Sequence, residues 1–187
     1  MRETIVELGI IVKIVHSGDY DARLAIFTAS GLQWRTIKGV YRPKAKFAAA
    51  TGLFTVAEFT VSGQAITGVN VLVSPYDLTK DLNRYYLACS IADALLHLEF
   101  VEQAPAALVS AVNALTTLAT TNESCYLIFL DFYGKILNIL GYQSDLTFDR
   151  ANLTHSTAKK LVQKMIEAYR NYVDYQIKFC EKLYLDV

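Results

Sequence analysis

The spacing of apolar residues changes near residue 75, and this change constrains the fold of the 187-residue chain more than any other feature. Before it, apolar and polar residues alternate in short runs separated by turn residues, which is typical of β-strands. After it, apolar residues recur every three to four positions, which is typical of amphipathic helices. We therefore predict a two-domain α+β protein, with a β-domain over 1–75 and an all-α domain over 76–187.

The β-region contains five apolar runs that we interpret as strands. Five strands in about seventy residues are too few for an immunoglobulin-type sandwich and suit a small closed barrel of the OB type. Gly9 lies inside the first run, where a glycine predicts a bulge or a bend. The five predicted strands cover 4–15, 22–29, 32–40, 53–61 and 65–73.

The second region is predicted to form a bundle of about four helices, over 78–101, 105–119, 123–140 and 156–185. Thr79 is a candidate N-cap for the first of them. Pro105 stands at the start of the second, where a proline fits the first helical turn. Gly141 follows the third, where glycine commonly ends a helix in the left-handed conformation.

No pattern in the chain predicts catalysis, a metal site or a cofactor. Cys89, Cys125 and Cys180 are far apart and lie in apolar helical patterns, so we expect small buried thiols in a reducing compartment. The three histidines have no partner at metal-binding or catalytic spacing, and the glycine-rich and nucleophile motifs of common enzyme classes are missing from the sequence. We therefore expect a protein that is not an enzyme.

Nothing in the sequence predicts export or a membrane partner. Glu3 and Glu7 stand where a signal peptide would have its apolar stretch. No apolar run reaches the roughly 20 residues that a membrane-spanning helix needs. We expect a cytoplasmic protein.

Charge is distributed unevenly along a chain whose formal net charge is zero. Residues 1–57 carry eight basic and four acidic residues, whereas 58–187 carry ten basic and fourteen acidic residues. The 36 residues from Ala22 to Ala57 include six basic residues and no acid. Such a segment is a candidate binding surface for an anionic partner.

The basic segment is most concentrated in "WRTIKGVYRPKAKF", residues 34–47, where five basic residues stand among three aromatic ones. In a strand, Trp34 and Lys38 share one face and Arg35 shares the other with Ile37. If Ile37 faces the core, Arg35 must reach the rim or sit at a strand end. Pro43 holds the chain extended at Arg42 and favours a loop. Composition leaves two alternatives open, a solvated loop and a strip that binds nucleic acid.

The order of motifs around this segment resembles the N-terminal region of the bacterial DNA-repair protein family RecO. That family begins with a glycine-containing strand, passes through an acidic turn to an "R-L-x-x-x-F-T-x-x-x-G" strand pair, and continues to a basic loop and a "P-F-T"-like strand. Further on, "FYGKILNILGYQSDL" (132–146) resembles the family's helix ending in "L-G-Y". The matching residues are Gly9, Val12, Asp21, Arg23, Leu24, Phe27, Thr28, Gly31, Lys38, Gly39, Arg42, Pro43, Lys44, Leu53, Phe54 and Thr55.

The resemblance implies an OB barrel followed by a helical domain, without an active site. It also implies binding to single- and double-stranded DNA, annealing of strands, and loading of RecA together with a RecR-like protein and the C-terminal tail of single-strand-binding protein (SSB). The basic residues would neutralise phosphates, and the aromatic ones would stack on bases. The candidate DNA-binding residues are Arg23, Trp34, Arg35, Lys38, Tyr41, Arg42, Lys44 and Lys46.

The chain also departs from the RecO pattern. Many members carry a four-cysteine zinc module after the "L-G-Y" segment, whereas this chain has "TFDRANLTH" there, with no cysteine. It also ends in "KLYLDV", where family members often have a basic tail. We therefore expect no metal, and a short, divergent mediator with weaker DNA affinity.

An adaptor that binds proteins is the alternative to a DNA-binding mediator. In that case the basic strip would receive an acidic peptide. An SSB-type tail, acidic with an apolar end, would suit a groove between helices with a nearby cation. The candidate cations, chosen by charge alone, are Lys135, Arg150 and Lys159.

Overall fold

A computed structural model describes residues 3–98, 101–142 and 155–173 of the chain. All five predicted strands are present, as are the helices that follow them, so the α+β layout is confirmed. β3 ends earlier than the alternation predicted, because the chain turns after Ile37. The strands are β1 (Thr4–Ser17), β2 (Asp21–Thr28), β3 (Gly31–Ile37), β4 (Val56–Ser62) and β5 (Ala65–Val73).

The five strands form one closed ring in the order β1-β2-β3-β5-β4, with β4 pairing back to β1. Neighbouring strands are antiparallel except β3 and β5, which are parallel and pair at Thr36 and Ala65. The Thr36 N–H donates to the carbonyl oxygen of Gln64 at 2.8 Å beside that pair. This contact closes the ring.

Alternate residues of the strands fill the inside of the ring with apolar side chains. Leu24 and Ile26 of β2 meet Ile37 of β3 and Phe59 of β4, and all four are fully buried. Burying a side chain of this size stabilises a fold by about 1.5–3 kcal/mol. The interior of the ring is therefore a core of its own, formed by Ile11, Ala22, Leu24, Ile26, Ile37, Val40, Ala57, Phe59, Val61 and Ile66.

The predicted bulge in β1 occurs at Val12 and not at Gly9. The pairing of β1 with β2 shifts by one residue between Ile11 and Lys13, so Val12 is the extra residue. Gly9 instead leaves space for the Ile26 side chain of β2, because a Cβ atom at this position would overlap Ile26 Cγ2. The bulge places the Val12 and Lys13 side chains together on the outside of the ring, since Ile14 returns to the inside.

Helices begin as soon as β5 ends. The helix predicted over 78–101 is shorter, Leu82–Leu96, and a one-turn helix, Pro75–Leu78, precedes it. Asp81, not Thr79, caps the longer helix by accepting the Arg84 N–H at 3.0 Å. Pro105 lies in the first turn of its helix and Gly141 has a φ of 84°, both as predicted. The helices are α1 (Pro75–Leu78), α2 (Leu82–Leu96), α3 (Ala104–Thr120), α4 (Cys125–Ile139) and α5 (His155–Val173).

The helices pack on the outer face of β1 and β2. Ile10 and Phe27 from that face belong to the same buried cluster as Leu87 of α2 and Leu108 of α3. Phe54, just before β4, extends this contact by packing edge-on against Tyr85 of α2, with ring centroids 5.8 Å apart. The helices therefore cover only part of the outside of the ring and leave the remainder of β1, β2 and β3 to solvent.

Tyr133 of α4 lies at the centre of the helical core. Its hydroxyl donates to the carbonyl oxygen of Ser90 at 2.9 Å, and its ring packs on Phe129 and on Tyr169 of α5. The buried polar group is thus satisfied, which avoids a cost of about 1–3 kcal/mol. Among the helices that the structure describes, none combines the length and the apolar character needed to cross a membrane.

Candidate nucleic-acid interface

The basic segment after β3 forms a loop that is fastened to the turn between β1 and β2. The Gly39 N–H donates to the Asp21 carboxylate at 2.7 Å, and the Tyr41 N–H donates to the carbonyl oxygen of Tyr20 at 3.0 Å. Gly39 has a φ of 67°, which glycine adopts at little cost. These bonds hold the base of the loop in one position, and one of them engages Asp21, the acid nearest to the loop. We name residues 38–47 the basic loop.

The tip of the basic loop is a tight turn with a strained lysine. The Ala45 N–H donates to the carbonyl oxygen of Arg42 at 3.0 Å, and Pro43 and Lys44 are the two central residues. Lys44 has a φ of 61°, as the third residue of a type II turn requires, and glycine is the usual residue there. A lysine in this conformation costs roughly 1–2 kcal/mol. Its charged side chain is exposed.

Aromatic rings lie beside the cations of the basic loop. The rings of His16 and Tyr41 stack with centroids 4.2 Å apart and an angle of 9° between planes. The Arg42 guanidinium lies 5.3 Å from the centroid of Tyr20, and the Lys46 ammonium 5.2 Å from that of Phe47. Tyr20 and Tyr41 are 48% and 40% exposed. Two flat, accessible rings therefore accompany the cations.

Sequence reasoning missed His16 and Tyr20. His16 lies near the end of β1 and Tyr20 lies in the turn that follows, each more than twenty residues before its partner in the basic loop. The alternation of apolar and polar residues predicts strands but does not reveal which turn a later loop packs against. The available signal was Asp21 at the start of β2, because an ionised carboxylate accepts hydrogen bonds from backbone N–H groups.

Trp34 and Arg23 form a second group on the outside of the ring. Ile37 is fully buried, so Trp34 points outward as strand alternation predicts, and it is 37% exposed. The Arg23 guanidinium, from the neighbouring β2, lies 5.3 Å from the centroid of the Trp34 ring. A cation in this position is attracted by the face of the ring and holds both side chains in place.

Arg35 stands apart from the other candidate residues. It points to the opposite side of β3, where its Nε donates to the Glu7 carboxylate of β1 at 3.0 Å. The two side chains are 14% and 16% exposed. The charge of Arg35 is thus compensated inside one end of the ring, and Arg35 does not join the exposed cations.

The remaining cations are exposed and unpaired. Within residues 3–98, 101–142 and 155–173, no carboxylate forms an ion pair with them. Asp19 is the exposed acid of the adjacent turn, and Asp21 bonds to the backbone. The surface is therefore predominantly positive. Its cations are Arg23, Lys38, Arg42, Lys44 and Lys46.

The cations predicted to hold a partner peptide have different positions. Lys135 is exposed at the rim of a groove between α3 and α4, with a volume of about 320 Å³ and walls that include Val109 and Ile139. Ser110 also lines this groove, and its buried hydroxyl has no hydrogen-bond partner in the described part of the chain. Lys159 lies in α5, and Arg150 lies outside the described residues.

The described residues include no group of three or more histidine, cysteine or acidic side chains that could hold a metal ion. Cys89 is buried and Cys125 is half-buried, as predicted for small apolar side chains, and Cys180 lies outside the described residues. Burial raises the pKa of the Cys125 thiol, and the nearby Asp81 carboxylate raises it further. This thiol is therefore protonated and a poor nucleophile at neutral pH.

No protein-family model matches the chain, and no match was found among curated proteins. The function must therefore be argued from the geometry of the site.

Proposed function

We propose that the protein is a non-enzymatic, cytoplasmic DNA-binding mediator of the RecO type, built on an OB-type barrel. Support for the OB assignment comes from the number of strands and their order, in which β3 and β5 pair in parallel and close a five-stranded ring. OB barrels bind oligonucleotides on the face of their second and third strands and on the adjoining loops. Trp34 and Arg23 lie on that face here.

The basic loop is the observation that carries the proposal. It presents four exposed cations and an exposed aromatic ring on a segment fastened at its base by two N–H donors, one bonded to the Asp21 carboxylate and one to the Tyr20 carbonyl oxygen. A solubilising loop has no need of this anchoring or of a lysine held at a φ of 61°. Strain of this kind is typical of functional positions. The four cations are Lys38, Arg42, Lys44 and Lys46.

The proposed mechanism uses charge and stacking without covalent chemistry. The ammonium and guanidinium groups of the basic loop neutralise phosphates and release counterions. Trp34 and Tyr41 stack on bases, a contact worth about 1–3 kcal/mol per base. Neutralised strands repel each other less, which favours annealing. As the family resemblance implies, the protein would work with a RecR-like protein and the SSB tail to load RecA.

Oligonucleotide binding measured from low to moderate salt tests this proposal. If about four phosphates of a single strand are neutralised, log affinity should fall against log salt with a slope near −3. Replacing Lys38, Arg42 and Lys44 by alanine should reduce that slope by about 2, since each contact contributes about 0.7.

The matched control is alanine at Lys160, Lys164 and Arg170, which are two exposed lysines and one exposed arginine of α5. This variant has the same net charge as the basic-loop variant and should keep the full slope. A slope near zero for the unmodified protein, or equal losses in both variants, would rule out the basic loop as the site. Annealing of SSB-coated complementary strands then tests the mediator role.

The groove between α3 and α4 favours a second candidate function, that of an adaptor for an acidic peptide. Lys135 would bind a carboxylate, the unsatisfied Ser110 hydroxyl would donate to the peptide, and the apolar walls would receive its last side chain. A peptide with several acidic residues and an apolar C-terminal residue should bind, and Lys135→Glu should abolish binding. Lys164→Glu is the control. Competition by DNA would contradict a separate peptide site.

A further inference from the structure

We propose that the exposed face of α3 binds the same face of a second copy of the chain, so that two antiparallel α3 helices form a dimer. The proposal goes beyond nucleic-acid binding and uses none of the residues of the candidate interface. It commits to one partner, a second copy, for a helix face that the rest of the described chain leaves exposed.

The face of α3 that points to solvent carries no charge. The 17 residues of this helix include no acidic and no basic side chain. An exposed helix face ordinarily carries charged residues, which keep it solvated. Depletion of charged residues is instead typical of the centre of a protein–protein interface.

The exposed residues of α3 recur at the spacing by which helices pair. After Pro105 in the first turn, they follow one another at steps of three, four, three and four residues. This is the spacing of the contact positions in a coiled coil. The row is about 21 Å long, at a rise of about 1.5 Å per residue. We name these residues the α3 stripe, which consists of Ala106, Val109, Asn113, Thr116 and Thr120.

The side chains of the α3 stripe are short and suit a close contact. Short side chains have little conformational freedom to lose when a partner orders them. Val109 is 59% exposed, so covering it removes apolar surface from water. The Thr120 hydroxyl donates to the carbonyl oxygen of Thr116 at 2.8 Å, and this donor therefore stays satisfied when water is excluded.

A buried hydroxyl beside the stripe indicates that another molecule completes this surface. Ser110 is 6% exposed, and its Oγ atom makes no hydrogen bond with any residue that the structure describes. It lines the groove between α3 and α4 together with Ala106, Val109 and Asn113. Because a buried hydroxyl without a partner is unfavourable, the groove is suited to receive a polar group from outside.

The symmetry of the α3 stripe favours a second copy over an unrelated helix. Ala106 and Thr120 each lie seven residues from Asn113, so a two-fold axis at Asn113 places each of them opposite the other. The Asn113 amide both donates and accepts, and its two copies can bond to each other across the axis. Antiparallel helices also place opposite ends of their dipoles side by side.

The same axis gives the Ser110 hydroxyl a partner. Thr116 of the second copy comes level with Ser110, since both are three residues from the axis on opposite helices. Charged residues of both signs line the space between α3 and α4, where Lys135 lies beside Asn113 and Asp131 lies one turn away. A border of mixed charge can meet its own copy without the repulsion of a surface of one sign.

Sedimentation velocity over a range of protein concentrations tests the proposal. A contact about 21 Å long is smaller than a standard interface of about 1,200–2,000 Å², so we expect a reversible dimer with a Kd on the order of micromolar. An acidic peptide that occupies the groove should lower the dimer fraction, because peptide and second copy would both contact Val109 and Ser110.

Asn113→Lys should abolish the dimer without unfolding the chain. It places two like charges on the two-fold axis, and we expect self-association to weaken by roughly a hundredfold or more. Asn113 is exposed, so circular dichroism of the variant should match that of the unmodified protein. The matched control is Asn171→Lys, the same change at an exposed position of α5, which should leave the dimer unchanged.

Cysteine crosslinking tests the antiparallel arrangement, because a disulfide requires Cα atoms about 4.4–6.8 Å apart. Asn113→Cys should crosslink to its own copy under mild oxidation. Val109→Cys should not, since its two copies would lie about 12 Å apart along the helices, but it should crosslink to Thr116→Cys when the two variants are mixed. The unmodified protein is the control for the native cysteines.

A monomer at every concentration would overturn the proposal, and an acidic peptide bound to that monomer would assign the groove to a peptide partner instead. A dimer that Asn113→Lys leaves unchanged, or Val109→Cys crosslinked to its own copy, would also overturn it. None of these measurements uses nucleic acid, so their failure would leave the proposed function intact, and failure of oligonucleotide binding would leave the dimer intact.

Discussion

The outer face of β1, β2 and β3 has two halves that differ in character although they lie on the same strands. In one half, Ile10, Val12 and Phe27 are buried under the helices. In the other, Lys13 and Trp34 face solvent. The change occurs between Val12 and Lys13 of β1, which the bulge turns outward together, and between Ala25 and Arg23 of β2, which are successive outward positions.

This difference teaches that the alternation of residues along a strand predicts which side of the sheet a side chain lies on. It does not predict whether a helix covers that side. Both halves are outward by parity, and the helical cover decides which outward residues belong to a core. The outward residues change at the edge of that cover, from the apolar Ile10, Val12 and Phe27 beneath it to Lys13, Arg23 and Trp34 beyond it. The argument for a binding surface is strongest where the outward residues become basic and aromatic at the point where the helices stop covering the sheet.

Truncating one aromatic residue from each half should give the largest contrast. Phe27→Ala removes a fully buried ring and should lower the free energy of unfolding by about 3–5 kcal/mol. Trp34→Ala removes a partly exposed ring and should cost less than about 2 kcal/mol, since less apolar area is withdrawn from water. Denaturant unfolding monitored by circular dichroism measures both changes. Similar costs would mean that the helices do not distinguish the two halves.

Arg35→Ala sharpens the comparison between the two sides of β3. It removes one partner of a half-buried ion pair and leaves the Glu7 carboxylate inside the end of the ring, so we expect a loss of about 1–3 kcal/mol of stability. The affinity of the folded variant for oligonucleotides should change by less than about twofold. Lys38→Ala is the control on the exposed side and should show the reverse pattern. A large loss of affinity in Arg35→Ala would place Arg35 in the interface.

Lys44→Gly should produce the smallest change in stability, and in the opposite direction. Glycine relieves the positive φ but has more freedom to lose in the unfolded chain, so the net gain should be at most about 1 kcal/mol. The same variant should weaken oligonucleotide binding and reduce the salt slope by about 0.7. Lys46→Gly serves as the comparison. A variant that is more stable and binds equally well would show that the lysine has no role in binding.

Much of the fold was predictable because it depends on local patterns. The strands, the change to helices near residue 75, the outward Trp34 and the left-handed Gly141 follow from alternation, spacing and turn chemistry. The pairing of Arg35 with Glu7 was not predictable, because it joins residues 28 positions apart across a ring whose closure leaves no local trace. The outward position of Lys13 depends on the bulge at Val12. The residues around the bulge are β-branched, as in a regular strand, so the sequence does not reveal it.

The candidate site was also predictable only in part. The basic loop was visible as a run without acids, since charge is read directly from the sequence. Its neighbours His16 and Tyr20 were not, because they approach Tyr41 and Arg42 only after the loop folds back on the first hairpin. The sequence thus identified the charges of the site but not the rings that accompany them.

The closure of the ring has a consequence for its motion. β3 and β5 share a single paired position, Thr36 with Ala65, whereas the other four junctions extend over seven or eight pairs. This seam should open more often than the rest of the sheet, and amide hydrogens on its two sides should exchange with solvent first. The basic loop would keep its position during such an opening, because β2 still pairs with Ile37 of β3 and the Asp21 carboxylate still accepts the Gly39 N–H. A bound strand would therefore meet the same arrangement of cations whether the seam is open or closed.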